Sequence, residues 1–571
     1  MSVVETGTAE PVAFDGLFGW YSPGRSGRAV VLCAALGFEN VATYRGWRDL
    51  ALKLNAAGLS TLRFDYPGEG DSADAAAGRL NGLVEAIRRA VRFLRERDGA
   101  AEVYLVGLRF GGTLAALAGE GEAEGLVLLA PFSSGRSYLR AMTLWSQTGD
   151  TLPDGTPIPQ DPAAPVIGGH RLPPDLVADL GRMNLAKTAA AGPPPGRLLL
   201  LGADAAGLAD RYEARGSAVA RGEFPGLSQF LANPYGAEIP VRAFATIVAF
   251  CAEDAPARRA APRPRDRNAA IVGGTWRETT VRLPHATGIA CTPLRPDPGA
   301  PTVVFINSGV NIRSGYGRQT TDMARALSAS GIASFRWDLR GVGESEDRPD
   351  GRYPLYVHDT VEEVRAVLDA VDARNGVIAL GTCSGAYLAF HAACADARIR
   401  GAILVNLYKF DWDEADDLDA IMRRQFRSPA SYASLLKRKA AWGRLLRGEI
   451  RIAAIARHLL GAGLARAASA LKPLVQSPSA RARTVAGRIA ALRRGGRSLV
   501  MVYSAGDVGI PDAYARLGRS PAKIVRRLGR PLTILDGTDH NLSTDGAQDR
   551  LRGIVLDLVR ETKAAAGGAQ G

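Results

Sequence analysis

Short runs of branched aliphatic residues recur along the whole sequence, each followed by a longer stretch whose apolar positions fall at helical spacing. In the second half the runs lie at 302–307, 333–338, 377–382, 401–406, 498–505 and 531–536. In the first half they lie at 29–35, 60–65, 103–108, 125–130, 197–202 and 219–224. Alternation of this kind predicts an α/β fold in which a mostly parallel sheet is covered by helices on both faces.

The pattern also repeats. AVVLCAALGFENVATYRGWRDLALKLNAAGLSTLRFDYPGEGDS in the first half has the element order and punctuation of TVVFINSGVNIRSGYGRQTTDMARALSASGIASFRWDLRGVGES in the second. Asp65 and Asp338 are 273 positions apart, as are Ser72 and Ser345, and Gly107 and Gly381 are 274 apart. So constant an offset marks a duplication. Two tandem α/β domains are therefore expected, at 1–252 and 273–565. The stretch 253–272, rich in Pro, Ala and Arg and without apolar periodicity, reads as the linker between them. Each half carries an insertion before a later strand, at 132–195 and 407–496, which reads as a helical lid. The second contains a series of basic amphipathic helices. Three readings fit those helices: a solvated face, a contact with an anionic membrane, or a dock for an acidic carrier protein or anionic substrate.

Composition narrows the class. With 46% hydrophobic residues, 65 glycines and 33 prolines, the chain reads as a globular one able to bury a core in each half, and disorder is not the default. No basic segment followed by an apolar run opens the sequence, and no stretch reaches about 18 uninterrupted apolar residues, so a cytoplasmic location is expected. Five scattered cysteines (Cys33, Cys251, Cys291, Cys383, Cys394) show neither metal-site nor disulfide spacing, and no cofactor or metal is expected. The net charge of +13, carried mostly by arginine, suits an anionic partner or reflects an Ala/Arg-rich composition; specific nucleic-acid binding is not expected.

The chemistry concentrates at the third strand of each repeat. VIALGTCSGAYLAF places Gly381-Thr382-Cys383-Ser384-Gly385 between an apolar run and a helix, the spacing of a nucleophile elbow, G-x-S-x-G, with sulfur for oxygen. Glycines flank the turn because side chains there would collide. The nucleophile then sits at a helix N-terminus, where the dipole favours an anion. The partners follow in the required order, each after a later strand: Asp507 in LVMVYSAGDVGIP and His540 in PLTILDGTDHNLS. Asp507 would orient the imidazole, and His540 would shuttle the proton of Cys383. Asp539 is the weaker candidate acid, being adjacent to the histidine it would have to orient. Oxyanion donors are expected from Ser384 and from the loop INSGVNIRSG, around Gly309 or Val310. His391, on the helix after the elbow, reads as a packing or solvent-facing residue.

In the first half the same elbow reads VYLVGLRFGGTLAAL. Arg109 stands at the nucleophile position, 274 before Cys383; Asp204 occupies the acid position and Leu227 the histidine position. Arginine cannot attack a carbonyl, so this half cannot run the same reaction. A guanidinium at the base of a lidded pocket needs a partner, and two readings follow: Arg109 pairs with Asp204 or an anionic ligand group, or the half is an inert scaffold.

Over nearly its full length the chain resembles the α/β-hydrolase superfamily. More narrowly, GLRFGG with SGRSYLRAM, and NSGVNIRSGYGR with GTCSGA, look like the serine-aminopeptidase-like hydrolases found beside exosortase systems. The resemblance implies an eight-stranded sheet with a lid, and in the second half a Cys-Asp-His triad similar to those of dienelactone hydrolases and polyhydroxyalkanoate synthases. The expected function is esterase, thioesterase or acyltransferase chemistry on a small-molecule or carrier-bound acyl group, through a Cys383 acyl-enzyme. The alternative is a noncatalytic ligand-binding or scaffolding protein.

Overall fold

A computed structural model describes residues 9–75, 80–188, 192–204, 207–258, 269–357, 359–412 and 484–568. The chain divides into two compact units. The first comprises Met1–Asp150, Pro159–Pro298 and Val310–Pro354; the second comprises Thr151–Ile158, Gly299–Gly309 and Leu355–Gly571.

In the first unit eight strands form one sheet, in the spatial order Glu10–Phe14, Leu17–Ser22, Ser60–Phe64, Arg28–Cys33, Glu102–Leu108, Gly125–Leu129, Arg197–Leu201, Ala218–Gly222. The last six are mutually parallel, and Glu10–Phe14 and Leu17–Ser22 are an antiparallel hairpin on one edge. The run Ala29–Cys33 is wholly buried, as expected of a central parallel strand covered on both faces. Its residues alternate between two cores. Ala29, Val31 and Cys33 pack with helices Leu80–Phe93 and Phe110–Gly119, while Val30 and Leu32 pack with helices Phe38–Ala56 and Val241–Ala252.

The first unit also takes in the opening of the second repeat. Ala270–Val272, Trp276–Arg282, Thr287–Pro293 and Ser334–Trp337 pair antiparallel in that order. The end of the stretch read as linker is thus a strand, since Ala270, Ile271 and Val272 supply three residues that can pair. Buried ion pairs hold this segment to the first repeat. Arg313 bridges Asp71 (2.6 Å) and Asp338 (2.7 Å), Arg336 bridges Asp71 (2.9 Å) and Glu278 (2.7 Å), and Arg325 meets Glu278 at 2.7 Å. Arg63 grips Glu344 with two bonds of 2.7 Å, and the Tyr44 hydroxyl donates to the same carboxylate. Burial alone would raise these acids; the arginines overcome it for Asp71 and Glu278, which lie below their ordinary values, and hold Glu344 down to about 2. Asp65 goes the other way, to about 7, because burial and the neighbouring Asp71 charge both disfavour its anion.

In the second unit five strands run parallel, in the order Thr302–Ile306, Val377–Thr382, Ile399–Val405, Ser498–Ser504, Thr533–Leu535. They are the counterparts of Arg28–Cys33, Glu102–Leu108, Gly125–Leu129, Arg197–Leu201 and Ala218–Gly222. Helix Ser384–Ala395 packs on the strands at the centre of this set.

The insertion at 132–195 contains helices Gly135–Gly149 and Pro174–Arg182. The first is capped by Ser134, whose hydroxyl accepts from Ser137 N in a capping box. Of the insertion at 407–496, residues 413–483, including the basic amphipathic stretch, lie outside the described residues. Among the described residues no helix is long and apolar enough to cross a membrane.

Candidate active site

Strand Val377–Thr382 ends in a turn so tight that Cys383 is forced to φ 55°, ψ −116°, and helix Ser384–Ala395 begins immediately after it. Few non-glycine residues adopt such a backbone, and where they do the surroundings must impose it. Here the imposition is visible. A Cβ on Gly381 would lie 2.1 Å from the Gly385 carbonyl oxygen, and one on Gly385 would lie 2.4 Å from that of Asn307. Glycine at both positions lets helix and strand approach, and Cys383 N donates to Val405 O at 2.9 Å to fix the turn.

Two loops from later strands bring the other groups to the cysteine. His540 Nδ1 lies 2.6 Å from Asp507 Oδ2, and Cys383 is near enough to the same imidazole to act on its charge. Asp507 is 3% exposed and also accepts from Gly509 N at 2.8 Å, so its carboxylate is pinned on both sides. Burial opposes a charged imidazole, but the Asp507 carboxylate, and after it Cys383, hold the His540 pKa well above the ordinary 6.5. Asp539 takes no part in orienting the ring; its carboxylate accepts from Ser543 N (2.6 Å) and Asn541 N (3.3 Å) and closes the turn.

Two residues not foreseen in the sequence strap the histidine loop. Asn406, fully buried at φ 48°, donates from Nδ2 to the His540 carbonyl (2.7 Å) and to Ser504 Oγ (3.0 Å). Ser504 in turn donates to the Asp539 carbonyl at 2.5 Å. The one signal in the sequence is a polar residue directly after the apolar run AILV. A third residue, Tyr356, places its hydroxyl 3.7 Å from Cys383 Sγ, and nothing in its sequence context marks it. His391 is buried and packed, with Nε2 2.9 Å from Phe410 O and its ring tilted against Tyr387.

Two of the residues expected to supply oxyanion donors, Ser384 and Gly309, meet in one hydrogen bond. Ser384 is the first residue of its helix, where a backbone N–H has no partner within the helix. Gly309 N, however, donates to Ser384 Oγ at 2.9 Å, so this N–H is already engaged. Val310 belongs to the first compact unit.

In the first half Arg109 adopts φ 54°, ψ −120° at the head of helix Phe110–Gly119, and its N donates to Leu129 O at 2.8 Å. The pairing of Arg109 with Asp204 is not found. Arg109 Nε donates to Glu39 Oε1 at 3.0 Å, and the guanidinium lies 4.2 Å over the Phe132 ring. Asp204 instead accepts from Leu208 N (2.7 Å) and Ala209 N (3.1 Å), capping helix Leu208–Glu213. Leu227, half-buried, begins the short helix Leu227–Phe230 and packs against the core.

Two family models match, one in each half: "Serine aminopeptidase, S33" over residues 29–157 and "Alpha/beta hydrolase family" over residues 303–551. No curated protein sequence matches. Similar solved structures include Est1E from Butyrivibrio proteoclasticus (15% identity, 43% of this chain and 97% of that chain, TM-score 0.30). The proline iminopeptidase of Mycobacterium smegmatis is similar at 16% identity, over 51% of this chain and 99% of that one, with a TM-score of 0.31. A putative lipase from Acinetobacter baumannii AYE is similar at 16% identity, over 50% and 92%, with a TM-score of 0.31. With a hydrolase family model matched in each half, this chain is a tandem α/β-hydrolase-fold protein.

Proposed function

We propose that the second half catalyses acyl transfer from an activated ester or thioester to water or another acceptor, through a thioester on Cys383. The observation that carries this reading is the joint placement of Cys383, at a strained elbow, beside an imidazole whose other nitrogen is held by Asp507 at 2.6 Å. In the first step the sulfur attacks the carbonyl carbon and the C–S bond forms. His540, which holds its proton well above pH 6.5, gives it to the departing alkoxide or thiolate as the old acyl bond breaks. In the second step His540 takes a proton from water or the acceptor, whose oxygen or nitrogen attacks the thioester. The sulfur then leaves, and the site is restored. Ser384 N–H at the helix start is suited to meet the oxyanion.

The first half is a structural partner in this reading, because Glu39 neutralises Arg109 and Phe132 covers it.

The test is intact-protein mass spectrometry after incubation with p-nitrophenyl esters and acyl thioesters, for the parent chain, Cys383→Ala and His540→Ala. An acyl adduct that requires Cys383 and depends on His540 supports the reading. No adduct on the parent across the panel, or one that persists in Cys383→Ala, overturns it.

A further inference from the structure

An acyl-transfer site needs two donors for the oxygen that gains charge as sulfur adds to the carbonyl. Ser384 N–H supplies one. Of the two backbone donors expected from the loop after Thr302–Ile306, Gly309 or Val310, the first is committed elsewhere: Gly309 N–H donates to Ser384 Oγ at 2.9 Å. Another hydroxyl lies close by. Tyr356 Oη is 3.7 Å from Cys383 Sγ, and Tyr356 is 6% exposed.

Its placement is held rather than incidental. Tyr356 stands at φ 57°, a backbone conformation that a bulky residue adopts only under constraint. The ring is clamped on two sides: it stacks on Trp412 with centroids 4.2 Å apart and an interplanar angle of 10°, and it meets Tyr387 edge-on at 5.2 Å. A clamped ring leaves the hydroxyl little freedom except to rotate its proton. At 3.7 Å the contact with sulfur is long for a strong ground-state bond. The charged oxygen forms on the carbon that sulfur attacks, so it develops beside Sγ, within reach of a donor placed there. A hydrogen bond that is stronger in the transition state than in the resting site lowers the barrier.

We infer that the Tyr356 hydroxyl is the second oxyanion donor, in the role expected of Gly309 or Val310; this rests on the acyl-transfer reading of Cys383. During acylation the carbonyl π pair moves onto oxygen as the C–S bond forms. Tyr356 Oη–H hydrogen-bonds that oxygen without giving up its proton, and the pair returns when the intermediate collapses and the leaving group departs with the proton from His540. Tyr356 is thus a catalytic residue that acts on substrate oxygen.

Tyr356→Phe removes the hydroxyl and keeps the ring against Trp412 and Tyr387. Two rates are compared in the full-length parent and variant: the burst of p-nitrophenolate from p-nitrophenyl acetate, and alkylation of Cys383 by iodoacetamide, read by peptide mass mapping. Acylation builds an oxyanion; alkylation displaces iodide and builds none. The expected result is a burst slowed roughly 10²-fold, with alkylation within about twofold of the parent. An unchanged burst overturns the inference. So does an equal fall in both rates, since the hydroxyl would then be positioning the sulfur or supporting the fold. A parent chain that is alkylated at Cys383 but shows no burst overturns the acyl-transfer reading itself, and the role of Tyr356 with it.

Discussion

The two elbows share a backbone and differ in nearly everything attached to it. Arg109 sits at φ 54°, ψ −120° and Cys383 at φ 55°, ψ −116°; each donates its N–H to the end of the next strand, and each turn is flanked by glycines that a Cβ would drive into neighbouring backbone. The strained turn is therefore a property of the strand, helix and glycines, and it is kept where arginine stands in place of cysteine. In the first half each position of the missing machinery has taken a structural partner. Arg109 is paired by Glu39, Asp204 caps a helix, and Leu227 packs on the core. The anchor has gone as well: at the strand end where Asn406 reaches the histidine loop, the first half has Ala130, also at positive φ.

Cys383→Ala should lower acyl-adduct formation by roughly 10⁵-fold or more, whereas Arg109→Ala should leave it within about twofold. Next comes the acid. Asp507→Asn should slow acylation by roughly 10⁴-fold because the imidazole loses the partner that sets its tautomer; Asp204→Asn, which alters only a helix cap, should not change it. Both are read from pre-steady-state bursts.

The first unit depends instead on its buried ion pairs. Arg336→Ala leaves the buried Asp71 and Glu278 short of a partner and should cost about 3–5 kcal/mol in urea unfolding. Glu344, held down to about 2 by Arg63, contributes stability that is complete above the ordinary value of 4.5 and is lost as pH falls through about 2. Glu39→Gln, which weakens a pair with Arg109 at 20% exposure, should cost only about 1–2 kcal/mol and leave acylation unchanged. The smallest effect concerns His540. Because its folded pKa is raised, the pair with Asp507 stabilises fully below pH 6.5 and less as pH climbs through the folded value. The difference in Tm between the parent and His540→Gln should be full below pH 6.5 and shrink as the pH is raised well above it.

Strands such as Val377–Thr382 and Arg28–Cys33 were legible because burial on both faces writes an unbroken apolar run, and the repeat then located their counterparts. The hairpin Glu10–Phe14 with Leu17–Ser22 was not, since edge strands carrying Pro and Gly mix with polar residues and resemble loop. At the site, Cys383, Asp507 and His540 could be named because each follows a strand in a fixed order. Glu39, Tyr356 and the hydrogen bond from Gly309 N to Ser384 could not: each reaches its partner through tertiary packing across tens of residues, which leaves no local pattern.

The buried arginines carry a further consequence. Arg63 and Arg336 are 273 positions apart, and so are Asp71 and Glu344; Arg63 grips Glu344 while Arg336 grips Asp71. One contact is thus made twice with the roles exchanged, the reciprocity of two identical copies meeting across a twofold axis. In separate molecules a self-complementary patch is satisfied only at a concentration that favours association. Within one chain it is satisfied at any dilution, and with these side chains at most 8% exposed no copy of the patch is left to recruit a third. A contact of this kind can keep its symmetry after the residues at the two elbows, Arg109 and Cys383, have diverged.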